Sequence, residues 1–143
     1  MKRRIISGLF AAIMMFSCLV FAGATNINPR ASLYLDGYAV GVIPQGNCEM
    51  AVSYIVYGTN TMDTLGAQKI KVEEWDGRDW EQTMTFSVSK NPEFYVHDAS
   101  EHAGVVYFIG LPGVQYRATL TAYAERNGGS DTGTVTSDPT TCK

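Results

Sequence analysis

The sequence predicts an all-β protein, a two-sheet antiparallel sandwich of about seven strands. Short runs in which apolar and polar residues alternate recur along the chain, which is the pattern of strands with one buried face. Turn residues separate these runs, and no run shows the apolar spacing of an amphipathic helix. Alternation of this kind is expected when two sheets each hide one face against the other.

The first 24 residues have the three parts of a secretory signal peptide, so we expect cleavage after Ala24 and secretion. One β-sandwich domain should then occupy residues 25–143. The three parts are the positively charged Lys2-Arg3-Arg4, the largely apolar run 5–21 and the small-residue triplet Ala22-Gly23-Ala24.

Two other interpretations of this N-terminus remain open. The apolar run is near the shortest length that spans a bilayer, so a retained membrane anchor is one alternative. Cys18 raises the second, a lipid-modified N-terminus, but Phe16 and Ser17 precede it and more apolar residues follow. The well-placed cleavage triplet favours a released protein over both.

The processed chain is acidic, which excludes some classes of partner. Cleavage removes Lys2, Arg3 and Arg4 and no acidic residue, so the formal net charge changes from −3 to −6. A chain of this charge is a poor partner for nucleic acid or for an anionic membrane surface. No second apolar span follows the signal peptide, so we expect no membrane association after cleavage.

Two cysteines, Cys48 and Cys142, remain after cleavage, and in an exported protein such a pair is typical of one disulfide. Two free thiols are the alternative. Successive strands alternate in direction, so Cys48 at the start of one strand and Cys142 just past the last strand should lie at the same pole. A bridge there would close most of the processed chain into one loop and stabilise it by roughly 4–5 kcal/mol on the chain-entropy model.

The first half of the processed chain is predicted to form two short strands, one long strand and a hairpin. Asp36-Gly37 separates the short strands, and the turn 44–47 ends the second of them. The hairpin spans residues 68–88 around the turn 76–79 and predicts that Trp80 shares a face with Met84 and Phe86. The predicted strand runs are 32–35, 38–43, 48–58, 69–75 and 80–88.

The second half contains three further strand runs. Asn91-Pro92 breaks the alternation, residues 104–110 form a short buried strand, and the loop 125–131 precedes a last strand at 132–137. The run 116–124 alternates most clearly of the three. Its residues predicted to point inward are Tyr116, Ala118, Leu120, Ala122 and Ala124.

The stretch from Leu111 to Asp131 indicates which kind of β-sandwich the chain forms. Leu111 and Tyr116, on either side of Pro112-Gly113, have the spacing of a tyrosine corner, in which the tyrosine hydroxyl bonds back to the preceding turn. The alternating strand and the Asn-Gly-Gly-Ser loop that follow resemble fibronectin type III domains. The strand at 48–58 has Tyr54 where that family usually has a tryptophan, so the resemblance implies an immunoglobulin-like or fibronectin type III-like sandwich in general.

The processed chain as a whole resembles a family of small secreted proteins of unknown function from Gram-positive anaerobes. The matching stretches are ASLYLDGYAV after the signal peptide, GTNTMDTLGAQKIKVEEWDGRDW in the middle and YRATLTAYAERNGGSDTGTVT near the end. This resemblance implies a secreted sandwich and carries no activity and no catalytic residues.

Motifs for catalysis are missing from the sequence, so we expect no enzyme and no cofactor. No nucleophile elbow, Ser-x-x-Lys motif or glycine-rich phosphate loop occurs. Glu73 and Glu74 are neighbours in one strand and should point to opposite faces, so they cannot act as a pair. Asp76 and Asp79 flank a turn, where aspartate is common because of its local hydrogen bonds.

The segment HDASEH holds both histidines of the chain and is a weak candidate for a metal site. Its potential ligands are His97, Asp98, Glu101 and His102. In an extended segment the two histidines point to opposite faces, and no third segment obviously supplies more ligands. We therefore interpret the segment as a solvated loop that leads into the strand at 104–110.

Exposed aromatic residues are the remaining functional signal. Alternation places Tyr57, Trp75 and Tyr123 on outward faces, Tyr34 and Tyr38 lie near the first turn, and Trp80 is a further possible contact residue. Such rings contact protein partners or stack on sugars, and the alternative is that they only cover sheet surface. The sequence therefore predicts a secreted, non-catalytic binding or structural module for an unknown protein or glycan, with carbohydrate binding through these aromatics as the alternative function.

Overall fold

The structure, a computed structural model, describes residues 32–143; the predicted signal peptide and Cys18 lie outside the described residues. Within that range a short 3-10 helix spans Pro92–Phe94. The strands are β1 (Leu35–Gly46), β2 (Glu49–Met62), β3 (Thr64–Trp75), β4 (Trp80–Ser87), β5 (Tyr95–Val96), β6 (Ala99–Ile109), β7 (Gln115–Arg126), β8 (Gly129–Thr136) and β9 (Thr140–Thr141).

Two antiparallel sheets pack face to face, so the predicted all-β sandwich is confirmed. The first sheet has the strand order β1-β2-β6, and the second has the order β4-β3-β7-β8. The short strands β5 and β9 add to β3 and β7. Seven long strands carry the architecture, and the two others are only two residues long.

The core lies between the sheets and is built from the alternating residues of the central strands. Every inward position of β7, from Tyr116 to Ala124, is buried, as the sequence predicts. The alternation of β2 is also confirmed. Its core residues are Met50, Val52, Tyr54 and Val56.

The first two predicted strands form one continuous strand, which corrects the predicted turn at Asp36-Gly37. The pairing of β1 with β2 shifts register between Leu35 and Gly37, so Asp36 forms an irregularity in the strand and not a turn. Pro44 also lies within β1. It is tolerated because β1 is an edge strand and needs hydrogen bonds on one side only.

A β-bulge in β4 overturns the predicted position of Trp80. Val72 pairs with Met84 but Glu73 pairs with Gln82, so Thr83 is an extra residue without a partner in the ladder. One extra residue reverses the faces of everything beyond it. Trp80 therefore points away from the core, while Met84 packs against the core.

Cys48 and Cys142 form a disulfide at one pole of the sandwich, with their Cα atoms 5.1 Å apart. Backbone hydrogen bonds hold the same chain ends together. The Cys48 N–H donates to the carbonyl oxygen of Lys143 (3.1 Å), and the Cys142 N–H donates to that of Val114 (2.9 Å). The bridge therefore ties the start of β2 to the C-terminal segment, as the alternating strand directions predict.

Candidate functional site

The outer face of the four-stranded sheet carries most of the aromatic residues that lie outside the core. Its residues alternate with the buried positions of β3, β7 and β8. Two aromatic groups stand on it. We name them the tryptophan cluster (Glu73, Trp75, Trp80 and Arg117) and the tyrosine stack (Tyr95 and Tyr123).

The tryptophan cluster sits at the end of the β3–β4 hairpin. Trp75 and Trp80 form a cross-strand pair with ring centroids 5.4 Å apart and an interplanar angle of 54°. The Arg117 guanidinium carbon lies 4.4 Å from the centroid of the Trp80 ring, which is a cation–π contact. Arg117 reaches this position because it is paired with Glu73 in the neighbouring strand.

The Glu73 carboxylate forms ion pairs with both Arg117 and Lys71. Its carboxylate oxygens lie 3.0 Å from Arg117 Nε and 3.3 Å from Lys71 Nζ. Burial of the Glu73 carboxyl raises its pKa, but the hydrogen bonds and charges of Arg117 and Lys71 outweigh burial, so the pKa lies below its usual value. Glu73 is therefore ionised at neutral pH, where it holds Arg117 over Trp80 and is unsuited to act as a general acid.

The hairpin turn fixes the position of the two tryptophans. Asp76 Oδ1 accepts hydrogen bonds from the backbone N–H groups of Arg78 and Asp79, both at 2.7 Å. These bonds lower the pKa of the Asp76 carboxyl, so it stays a charged acceptor. Gly77 between them has a φ of 99°, which glycine adopts without strain. The bulge in β4 brings Trp80 to the outer face, where Trp75 already lies by the alternation of β3, and the turn holds the two strand ends together.

The tyrosine stack lies near the other end of β7. Tyr95 and Tyr123 have ring centroids 5.3 Å apart and an interplanar angle of 24°. Both residues pair with Gly66, which has a φ of 151° and where a Cβ atom would overlap the Phe94 carbonyl oxygen. Glycine at this position lets β5 approach β3 and brings Tyr95 beside Tyr123.

Threonine side chains line the surface between the two aromatic groups. Thr119 pairs with Thr136 and Thr121 pairs with Thr134, and the hydroxyl oxygens of Thr119 and Thr136 lie 2.8 Å apart. Arg117 and Tyr123 are six residues apart on β7, which corresponds to about 20 Å along the strand. The face can therefore contact an elongated partner with aromatic rings at both ends and hydroxyl groups between them.

The ring geometry limits how a ligand can stack on this face. The 54° tilt prevents Trp75 and Trp80 from lying together against one flat ligand surface, and Arg117 covers part of Trp80. The two tyrosine rings stack on each other. A flat ring such as a sugar can thus stack on one indole at a time, whereas a protein surface can pack against the whole cluster.

The other predicted aromatics lie elsewhere. Tyr57 is exposed, but it is on the outer face of the three-stranded sheet, so it cannot join the tryptophan cluster. Tyr38 is buried in the core, and Tyr34 is half-buried against it. The expectation of exposed rings near the first turn is therefore wrong for Tyr38, because β1 has no turn there.

The segment HDASEH is not a loop over its whole length, and its histidines have separate environments. Ala99–His102 belongs to β6. His97 Nδ1 donates to the Asp63 carbonyl oxygen (3.0 Å), while His102 Nε2 lies 3.1 Å from the Glu93 carbonyl oxygen. Residues 32–143 contain no group of three or more histidine, cysteine, aspartate or glutamate side chains that could hold a metal ion. Asp98 and Glu101 are exposed.

Leu111 and Tyr116 make the contact of a tyrosine corner. The Tyr116 hydroxyl accepts a hydrogen bond from the Leu111 backbone N–H at 2.8 Å. The Tyr116 ring also packs edge-on against Phe108, with centroids 5.1 Å apart. The hydrogen bond holds the chain where it passes from β6 in the first sheet to β7 in the second. It therefore fixes where β7 begins, and with it the position of Arg117, the residue after Tyr116.

Two members of the face could not be assigned from the sequence. Alternation places Arg117 outward, but its contact with Trp80 depends on the bulge at Thr83. Tyr95 follows the 3-10 helix in a strand of two residues, which is too short to show alternation. Tyr95 reaches this face because Gly66, with its positive φ, lets β5 pair closely with β3. Apart from the glycine itself, nothing in the sequence indicates this backbone conformation.

The chain was compared with protein-family models, with curated proteins and with solved structures, and it matches none of them. The resemblance to secreted proteins of Gram-positive anaerobes therefore stays a prediction. No helix within residues 32–143 has the length and apolar character needed to cross a bilayer.

Proposed function

We propose that the chain is an exported, non-catalytic binding or structural module that contacts its partner through the outer face of the four-stranded sheet. The tryptophan cluster carries this proposal. Tryptophan, tyrosine and arginine dominate the binding energy of protein interfaces, and here they lie together outside the core. A protein partner can bury the whole cluster despite the tilt of the indole rings.

Export is the part of the proposal that rests on the first 24 residues. Their charged start, apolar run and cleavage triplet support processing after Ala24. The Cys48–Cys142 disulfide supports it independently, because such bonds persist in oxidising compartments. We propose an extracellular protein that begins at Thr25.

We also propose that the sandwich is immunoglobulin-like, of the fibronectin type III kind. Two observations support this assignment. The sheets have three and four long strands in the orders β1-β2-β6 and β4-β3-β7-β8. The Tyr116 hydroxyl bonds back to Leu111 at the start of β7, the sixth long strand. Domains of this architecture serve unrelated functions, so the fold alone does not indicate what the chain binds.

Carbohydrate binding is the alternative function. Trp75 offers a half-buried indole ring next to a surface of threonine hydroxyls and lysine side chains, and these groups can hydrogen-bond to a glycan. The arrangement favours one stacked sugar at the tryptophan cluster. It does not offer a flat platform for several sugars.

The experiment compares binding of the processed chain to a glycan array, to insoluble polysaccharides and to proteins of the producing cells. Trp75→Ala and Trp80→Ala should each weaken binding by roughly 30-fold, the effect of about 2 kcal/mol at a central interface residue. Leu111→Ala is the matched control, because Leu111 is also exposed and apolar but lies outside this face.

The outcomes separate the two partner classes. Glycan binding that both tryptophan variants lose supports the carbohydrate alternative. Binding to a protein that both variants lose, without glycan binding, supports the first proposal. A partner whose binding survives both substitutions contradicts the assignment of this face.

A further inference from the structure

The edge strand β6 carries an exposed apolar stripe. It is the last strand of the three-stranded sheet and pairs with β2 only. Val105, Tyr107 and Ile109 follow one another at every second position of β6 and are 38%, 49% and 72% exposed. They are three of the six large apolar residues that lie exposed within residues 32–143, so this one strand concentrates the apolar surface that the chain leaves open to water.

The backbone of β6 offers hydrogen bonds along the same edge. The Gly110 N–H donates to the carbonyl oxygen of Cys48 opposite it (2.8 Å), so these two residues form a hydrogen-bonded pair. In an antiparallel ladder such pairs alternate with pairs whose backbone groups point away from each other. By the register, the N–H and C=O groups of every odd-numbered residue from Ala103 to Ile109 therefore point away from β2. The part of the chain that the structure describes places no further strand there.

The core is also open at this edge. Val106 lies between Val105 and Tyr107 and points inward, because it pairs with the buried Val52 of β2. Its side chain is nevertheless only partly buried. A strand added beside β6 would bury the exposed part of Val106, pair the outward backbone groups and cover the apolar stripe.

The other edge strands are protected against the addition of a strand, and β6 is not. Natural edge strands carry prolines, bulges or charged side chains that keep other chains from pairing with them. β1 contains Pro44 and two register shifts, β4 contains the bulge at Thr83, and β8 carries the charged Asp131. From Ala103 to Ile109, β6 pairs with β2 without a register shift and contains neither a proline nor a charged residue.

We propose that β6 is a strand-addition site, at which an extended, uncharged and apolar segment of another protein pairs with residues 103–109. In complexes of this kind main-chain hydrogen bonds give affinity and alternate side chains give specificity. Residues 103–109 extend over about 24 Å, and their odd-numbered members present up to about eight hydrogen-bonding groups to an antiparallel strand. The added segment needs an apolar side chain at every second position, to pack beside Val105, Tyr107 and Ile109. The site lies on the opposite sheet from the tryptophan cluster, so it is separate from the partner-binding face proposed above.

The chain itself offers poorer occupants for this edge. The residues just before the described range include Pro29, which has no N–H, and the charged Arg30. They also lead into β1, which is the opposite edge of the sheet. A second copy would pair β6 with itself, and a symmetric pairing centred on Val105 sets Glu101 of each copy opposite Ile109 of the other. Each end of such a pairing therefore places a charged side chain against an apolar one.

Amide hydrogen exchange of the processed chain, followed by NMR for each residue, tests the proposal. The probe is a short capped peptide of alternating valine and threonine, with one lysine at each end for solubility. In excess, at about 1 mM, it should slow exchange of the Val105 and Tyr107 N–H groups at least about tenfold, because these groups become hydrogen-bonded. The same peptide with every amide nitrogen methylated cannot donate to β6, and it should leave exchange unchanged.

Two variants of β6 and one matched control locate the binding. Val105→Pro removes an N–H that points away from β2 and should weaken peptide binding at least about tenfold. Tyr107→Lys should weaken it as much, because lysine on an edge strand opposes pairing, and it decides the test if circular dichroism shows that Val105→Pro is unfolded. Tyr57→Lys is the control and should bind normally, since Tyr57 is exposed on the same sheet but lies on the middle strand.

Several results would overturn the proposal. One is exchange at Val105 and Tyr107 that the peptide leaves unchanged, and another is peptide binding that Tyr107→Lys retains. Slowing without peptide as the protein concentration rises from about 10 to about 500 µM would make a second copy the occupant. Slow exchange at every concentration, whether or not deletion of residues 25–31 reverses it, would mean that the chain already covers this edge. Trp75→Ala should bind the peptide like the wild type, so a failure of the partner-binding proposal would be seen separately.

Discussion

Loss of the Cys48–Cys142 bridge should lower the stability of the sandwich without changing its fold. The two cysteines are 94 residues apart in sequence. On the chain-entropy model, opening a loop of this length adds about 16 cal/mol/K to the entropy of the unfolded chain, which is about 4.7 kcal/mol at 25 °C. The backbone hydrogen bonds of Cys48 and Cys142 remain in a Cys48→Ser/Cys142→Ser variant, so the strand ends stay paired.

The expected fall in melting temperature follows from the size of the described domain. The 112 residues from Ser32 to Lys143 correspond to an unfolding entropy of about 0.24 kcal/mol/K, so the loss amounts to roughly 20 °C. Thermal unfolding followed by circular dichroism measures this fall, and reduction of the wild-type protein should reproduce it. A fall of less than a few degrees, with two titratable thiols in the native protein, would show that no bridge stabilises the sandwich.

Three further predictions concern single side chains. Tyr116→Phe should cost about 1 kcal/mol of unfolding free energy, because the partly buried hydrogen bond from the Leu111 N–H loses its acceptor. Tyr38→Phe should be neutral or stabilising, because within residues 32–143 the buried Tyr38 hydroxyl has no hydrogen-bond partner. Equal losses in denaturant titrations would contradict this contrast. Glu73→Gln should cost about 1–2 kcal/mol at pH 7. Because the pKa of Glu73 is lowered in the folded protein, this stability is present above the usual value of 4.5 and is lost as the pH falls through the folded-state pKa. The unfolding free energies of the two proteins should therefore converge in acid. A constant difference between them down to about pH 2 would contradict this prediction. Burial lowers the pKa of His102 and outweighs the opposite effect of its hydrogen bond to the Glu93 carbonyl oxygen. The unfolded chain therefore takes up the proton at a higher pH than the folded chain, so the free energy of unfolding should fall as the pH drops below 6.5. His102→Gln should remove that part of the fall, and an unchanged pH profile would argue against the burial of this ring.

The fold could be predicted from the sequence because the central strands alternate without interruption. From Tyr116 to Ala124, every second residue of β7 is buried. In β2 every residue from Met50 to Val56 is buried, but only the alternate residues Met50, Val52, Tyr54 and Val56 belong to the core cluster. The turn at Asp76–Asp79 was also predictable, since Asp76 accepts hydrogen bonds from the backbone N–H groups two and three residues later. The other Asp-Gly pair, at residues 36–37, lies inside β1 and forms no turn, so this signal depends on the strands around it.

The candidate site could be predicted only in part, because bulges change which side of a strand a residue faces. Alternation correctly placed Trp75 and Tyr123 outward, but it placed Trp80 with Met84 and Phe86. The extra residue Thr83 reverses the face of Trp80, and a bulge in the middle of a polar strand has no reliable sequence signal. The contact between Arg117 and Trp80 depends on this reversal, so the cluster could not be assembled from strand patterns alone.

We propose that the chain is exported as a processed, disulfide-closed binding module. Intact-mass spectrometry of the protein in the culture medium tests the export, the cleavage and the bridge in one measurement. We predict a chain that begins at Thr25 and that gains two hydrogen atoms on reduction. A chain found only inside cells and beginning at Met1, or a secreted chain whose mass does not change on reduction, would contradict this proposal.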